Sequence, residues 1–236
     1  MLASSLVMKK PSQKAGDARK RRKKKLERVR LLPDERAQQI LSGAILFFAE
    51  RGFEGQTREL TSRLGISKGL LYRYFPGKDA LIDRVYEEVF IGRWSPQWDE
   101  IIADRSTQLL PRLKGFYVQY ALKMLHNYEW VRIYLLSGLA GASINRRFGN
   151  FVAEHIFRPV LNELRHEFEL PDIQKLPASE AELELMWGLH GAIFYIGIRK
   201  WVYHVEIPKD AEAAVELLVD GLYANASKLM TEKSRR

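Results

Sequence analysis

From Pro33 onward, apolar residues recur at the three-to-four spacing of a helix in one segment after another, and Gly or Pro closes most segments. A chain patterned this way is expected to be all-α. Pro33-Asp34-Glu35 reads as a helix start with acids in its first turn, and Ala37, Ile40, Leu41, Ala44 and Phe48 mark the inner face until Arg51-Gly52 ends it. "FEGQT" is then a loop. Thr57 is expected to N-cap a short helix, with Glu59 in its first turn, Leu60 and Leu64 facing inward, and Gly65 in the left-handed position that ends it. Ser67 caps the next. Two short helices either side of Gly65-Ile66 make a helix-turn-helix.

The second of these helices, "ISKGLLYRYFPGK" over residues 66–78, mixes apolar anchors with two tyrosines and three cations. Turning about 100° per residue from Ile66 places Leu71 and Phe75 on one side and Gly69, Leu70 and Arg73 on the opposite side. Tyr72 and Tyr74 flank the second group. A DNA major groove about 12 Å wide admits one helix between two phosphate walls. Two flanking hydroxyls can each donate to a backbone while Gly69, Leu70 and Arg73 look into the groove. Lys78 opens the following helix, where its charge and the free amides suit a phosphate. An ordinary helical hairpin with exposed cations is the bland alternative.

Charge is distributed unevenly. Through Pro33 there are twelve lysines and arginines against Asp17 and Glu27, a net of +10 in a chain whose total formal charge is +9. A near-neutral body thus carries a cationic arm centred on "RKRRKKK", Arg19 to Lys25, and this arm is expected to be disordered without DNA. Such a run fits a polyanion-binding tail, a membrane-surface anchor or a nuclear address. Cysteine is absent, which excludes disulfides and thiolate metal sites and suits a reducing compartment. No apolar run approaches the ~20 residues that cross a bilayer, and the opening "MLASSLVMKK" lacks the order of a signal peptide. The expected location is the cytoplasm.

Residues from about Pro33 to Val89 resemble the TetR family of bacterial transcriptional regulators, on "ILSGAILFFAERGFEGQT" and "RELTSRLGISKGLLYRYFPGKDAL". The resemblance implies a symmetric homodimer that binds a palindromic operator in double-stranded DNA, most often as a repressor released by a small-molecule effector. It also implies roles for single residues. Thr57, Tyr72, Tyr74 and Lys78 would meet phosphates, Arg58 a base edge or phosphate, and Lys68, Gly69 and Leu70 the groove; Ser67 and Arg73 complete the DNA-binding set. The implied layout is a basic arm over residues 1–32, a three-helix DNA-binding domain over 33–93 with its helix-turn-helix at about 57–76, and a helical ligand-binding and dimerisation domain over 94–236.

That second part should continue as helices: Asp79 to about Gly92 with a break at Pro96, Leu109–Leu125, Trp130–Leu139, and Ile144–Leu170 kinked at Pro159. Ala181–His204 is apolar on two sides, one carrying Leu183, Trp187, Phe194, Ile198 and Val202 and the other Leu185, Leu189, Ala192, Ile196 and Tyr203. One side can serve its own core. The other suits a partner chain, and residues 211, 215, 218, 222, 226 and 229 form a stripe ready to pair with it. The family senses ligands between such helices, so Tyr117, Tyr120, Trp130, Tyr134, Phe148, Phe151, His155, Trp187, His190 and Phe194 are the candidate pocket residues. None of the five histidines falls in a metal-ligand or metalloprotease spacing, and no glycine-rich phosphate loop is present, so neither metal, cofactor nor enzymatic activity is expected. The competing function is a non-specific polyanion binder, with the arm as the binding element and the helices as a dimerisation scaffold.

Overall fold

The structure, a computed structural model, describes residues 32–234. The basic arm expected over 1–32 lies, but for Leu32, outside the described residues. The described residues divide at Gln39: 32–39 belong to one unit and those from Ile40 onward to another. In the described part of the first, the Leu32 amide donates to Glu35 Oε2 at 2.9 Å and Arg36 Nη1 to Gln39 Oε1 at 2.6 Å, ties that begin α1 (Pro33–Arg51). No strand occurs among the described residues.

The second unit starts inside α1, whose Ile40, Leu41, Ala44 and Phe48 are buried as their spacing requires. Gly52 then takes a φ of +68°, a left-handed turn that only glycine enters without cost. Next come α2 (Thr57–Leu64), α3 (Lys68–Tyr74) and α4 (Lys78–Val89). A 3-10 turn over Ile91–Arg93 leads to α5 (Pro96–Ala103), followed by α6 (Leu109–His126), α7 (Tyr128–Leu139) and α8 (Ser143–Val152). After them come α9 (Arg158–Glu167), α10 (Glu180–Ile198) and α11 (Ala211–Ser234). The central element is α6, which packs against α5, α7, α9, α10 and α11.

Three local expectations need correction. Pro96 ends nothing; it opens α5 from the first turn, where a missing N–H is no loss. Thr57 is the first residue of α2 and not its cap, because Gln56 holds the extended cap conformation at φ −75°, ψ 133°. Its hydroxyl is therefore free to bond elsewhere. Around Pro159 the path from α8 to α9 runs through a π turn at Ala153–Phe157 instead of a simple kink. Proline has no N–H, and its ring would crowd the carbonyl of His155 in a regular helix; the wider turn relieves both. A second π turn, Arg199–Tyr203, extends α10 and stops at His204, whose φ of 54° is left-handed.

Buried charge fastens the far end of the body. On α9, Arg165 is 1% exposed, and its guanidinium donates to the Glu182 carboxylate of α10 at 2.7 and 2.9 Å and to the carbonyls of Pro171, Leu176 and Pro177 in the loop between them. The same carboxylate accepts from Ser179 N and Oγ, both at 2.7 Å, and from Lys233 Nζ of α11. One acidic side chain thereby joins three helices and a proline-bracketed loop.

Candidate nucleic-acid interface

Gly65, at φ 63°, returns its amide to Ser62 O and closes α2, and the Ser67 hydroxyl accepts from Leu70 N at 3.1 Å to open α3. Leu71 (1% exposed) and Phe75 (6%) anchor α3 to the body, each worth about 1.5–3 kcal/mol of burial. With that side fixed, the opposite side is set. Lys68, Gly69 and Arg73 are exposed, Leu70, Tyr72, Tyr74 and Lys78 half-buried, and a Cβ added to Gly69 would meet nothing within 4 Å.

On the flank, the hydroxyls of Thr57 and Tyr72 lie 3.4 Å apart, and Lys68 Nζ sits 5.5 Å from the centre of the Tyr72 ring. Two hydroxyl donors and an ammonium thus converge at one edge of α3, the donor set of a phosphate site. Arg58 is exposed at the second position of α2, and Lys78 is the first residue of α4 after Gly77. Of the expected residues, Ser67 spends its acceptor on the helix itself.

Away from α3, the ten expected pocket residues form one connected aromatic cluster. Tyr134 meets Phe148 at 5.6 Å and Phe194 at 5.2 Å, Tyr120 meets Trp130 at 5.9 Å and His190 at 5.7 Å, and Phe151 stacks on His155 at 4.1 Å. Tyr117 joins through Phe116. Trp187 touches His190 and Phe157 but is 42% exposed, so it sits at the rim. Besides Phe116, further rings not foreseen join the cluster: Phe90 packs on Phe148 at 4.8 Å, Trp94 on Phe151 at 5.3 Å, Trp98 on Tyr120 at 5.7 Å and Phe157 on Trp187 at 4.7 Å. Phe90 and Trp94 follow the end of the α4 stripe, where helical spacing no longer indicates direction.

Burial holds the Tyr117 and Tyr120 hydroxyls far above their usual pKa and pushes His190 down to about 4. At neutral pH these groups are uncharged. Tyr117 Oη and His190 Nδ1 are buried without a hydrogen-bond partner, which marks them as the groups inside the cluster with unspent bonding capacity.

The two-sided α10 divides differently from its sequence stripes. Leu189 (5% exposed) and Ile196 (4%) belong to the core with Met186 and Ile193, whereas Leu183, Trp187, Tyr195 and Tyr203 face outward. Between α10 and α11 runs an apolar groove of about 220 Å³ lined by Leu185, Gly188, Leu189, Ala192, Leu218 and Leu222, among others. Leu217 of α11 is 71% exposed.

No described helix is long and apolar enough to cross a membrane, and no three His, Cys, Asp or Glu side chains among the described residues stand where they could hold a metal ion. α2 and α3, joined at Gly65-Ile66 and followed by α4, form a helix-turn-helix with one face of α3 exposed. Residues 40–85 match the family of bacterial regulatory proteins, tetR family. Over 103 residues the chain is 28% identical to the HTH-type transcriptional repressor KstR2 of Mycolicibacterium smegmatis, a match that takes in 43% of this chain and about half, 49%, of that relative. Its fold is that of a tetR-family transcriptional regulator from Streptomyces coelicolor (TM-score 0.56, 17% identity, 86% of this chain and 85% of that one). A transcriptional regulator from Pseudomonas aeruginosa PAO1 shares it as well (TM-score 0.58, 22% identity, 85% and 96%). The helix-turn-helix segment is thus similar to that of the tetR family of bacterial regulatory proteins, and the rest of the chain shares the fold of the two solved structures. Regulators of this family are in general non-enzymatic transcription factors.

Proposed function

We propose that the protein is a cytoplasmic, ligand-released repressor that binds a palindromic operator as a homodimer, with α3 in the major groove. The observation that carries this reading is the convergence of Thr57, Tyr72 and Lys68 at one edge of a helix whose opposite side is locked by Leu71 and Phe75. Phosphate contacts then set register, while Gly69, Leu70 and Arg73 read the bases. Tyr74 and Lys78 hold the other strand, and Arg58 reaches a base edge or phosphate from α2.

In this reading residues 33–93 bind DNA and 94–236 sense and dimerise. The groove between α10 and α11 and the outward Leu183, Trp187, Tyr195 and Leu217 supply an apolar face for the same helices of a second protomer. The aromatic cluster is the effector site. With His190 neutral and the tyrosines protonated, it favours an uncharged, ring-containing effector with a polar group that Tyr117 and His190 can bond.

The test is binding to the protein's own promoter region and to random DNA at two salt concentrations. A preference of about 10³ or more is expected for the promoter. Equal binding to both, with a steep salt dependence, would instead support the polyanion-binding reading.

A further inference from the structure

Arg132 projects from α7, between two cluster residues, Trp130 and Tyr134. Its Nε donates to Ala49 O in the last turn of α1 at 2.7 Å, and its Nη1 donates to Trp201 O in the π turn after α10 at 3.2 Å. The carbonyls of a helix's last turn have no partner within the helix and carry partial negative charge. A guanidinium is suited to bridge two of them, because its donors sit in a rigid fork. We propose that Arg132 is a positioning residue that couples the end of α10 to the end of α1, so that the packing of the aromatic cluster biases how the helix-turn-helix is held. The consequence for DNA rests on the repressor reading; the mechanical link rests on the geometry.

The junction has little slack. A Cβ on Gly197 would lie 2.9 Å from Val131 Cγ2, so the Val131 side chain of α7 packs directly on the backbone of α10 one residue before Arg132. Beyond that contact, Lys200 Nζ and Trp201 Nε1 both donate to Leu125 O at the end of α6, at 3.2 and 3.0 Å. Close-packed elements shift together or not at all. Tyr134 of α7 meets Phe194 of α10 at 5.2 Å, so a change in the cluster must push these two helices against each other. The element best able to yield is the π turn, since converting it to α geometry moves its register by one residue. Trp201 O would move with it, and Arg132 would carry that movement to Ala49.

A second link exists and is weaker. Arg147 of α8 pairs with Asp83 and Glu87 of α4, but with side chains 43–60% exposed these pairs are screened by water. The Arg132 bonds are part-buried and charge-assisted, and each should count for more.

The experiment is a double-mutant cycle on the full chain. Phe194→Leu perturbs the cluster from α10, and Arg132→Met keeps the stem and removes both donors. Two readouts are taken, affinity for the protein's own promoter DNA and hydrogen exchange of the amides of residues 50–55. Phe194→Leu should change promoter affinity by about fivefold or more in the wild-type background and by less than about twofold beside Arg132→Met. Arg132→Met alone should speed exchange in residues 50–55 by about tenfold. Arg132→Lys, which has no fork, should fall between and replaces the methionine variant if that fails to fold. Equal effects of Phe194→Leu in both backgrounds, no effect in either, or unchanged exchange would overturn the coupling. A wild-type protein without promoter preference would overturn the repressor reading alone, since the exchange measurement needs no DNA.

Discussion

Glu182 offers the largest single effect that the structure allows to be worked out. Its carboxylate is 0% exposed. Burial pushes its pKa up, but hydrogen bonds from Arg165, Lys233 and Ser179 outweigh that and bring it down to about 2. An unfolded glutamate titrates near the ordinary value of 4.5. At about 1.4 kcal/mol per pKa unit, the difference corresponds to roughly 3 kcal/mol of folded-state stabilisation. The sign follows from the lowered folded value: the stabilisation is complete above about pH 5 and is lost as the pH falls toward 2. By pH 3.5 roughly 1–1.5 kcal/mol of it should be gone. Glu182→Gln keeps the shape, removes the charge and leaves Arg165 buried without its counter-ion, at a cost of about 3–5 kcal/mol near neutrality. Urea denaturation followed by circular dichroism, on wild type and variant from pH 7 to pH 3.5, isolates this carboxylate from all others. The gap between the two proteins should be largest at pH 7 and narrow below pH 5. A gap under about 1 kcal/mol at pH 7, or one that does not narrow on acidification, would refute the reasoning.

At the interface, Tyr72→Phe and Tyr74→Phe should each weaken binding to all DNA sequences by about 1 kcal/mol per protomer, whereas Arg73→Ala and Leu70→Ala should also relax base preference. Binding-site selection on random DNA checks this, and altered preference in the tyrosine variants would contradict the division of labour. Trp187→Glu or Leu217→Glu, at positions 42% and 71% exposed, should split the dimer and leave the fold intact, while Leu222→Asp, in the core at 4% exposure, should unfold the chain. Sedimentation and thermal melting separate those outcomes, and a wild-type protein that sediments as a monomer at micromolar concentration would remove the dimer from the reading. A chain lacking residues 1–25, and with them ten cations, should bind DNA more weakly at low salt and show a salt slope flatter by about 0.9 for each phosphate the arm neutralises. Titrations at several salt concentrations would reveal an unchanged slope if the arm is a bystander.

The helix α3 and its buried side were legible in the sequence because everything that shapes them is local. Ser67 caps it, Gly65 sets its approach, and nine residues of rotation from Ile66 to Phe75 decide which side is buried. Thr57 misled, since residue preference could not tell which of two adjacent residues takes the extended cap conformation; Gln56 does, and the threonine hydroxyl is released toward Tyr72. The two sides of α10 were visible but not their assignment. A helix apolar nearly all round gives rotation nothing to measure from, so it could not say that the side with Leu189 and Ile196 is the core side. Pro159 signalled irregularity without saying that a π turn would absorb it.

Arg132 was out of reach for a different reason. Its partners lie 83 and 69 residues away and offer only backbone carbonyls, so no side-chain pattern at either end announces the contact. The distinction bears on how such a chain divides its work. The face proposed to meet DNA is written in a few contiguous residues, whose exposed positions can vary without disturbing the rest of the body. What holds that face in place depends on helix ends brought together by the whole fold, at Ala49, Leu125 and Trp201. On the proposed repressor reading, sequence preference is therefore a local property of α3, and the response to an effector is a property of how α1, α6, α7 and α10 close on one another.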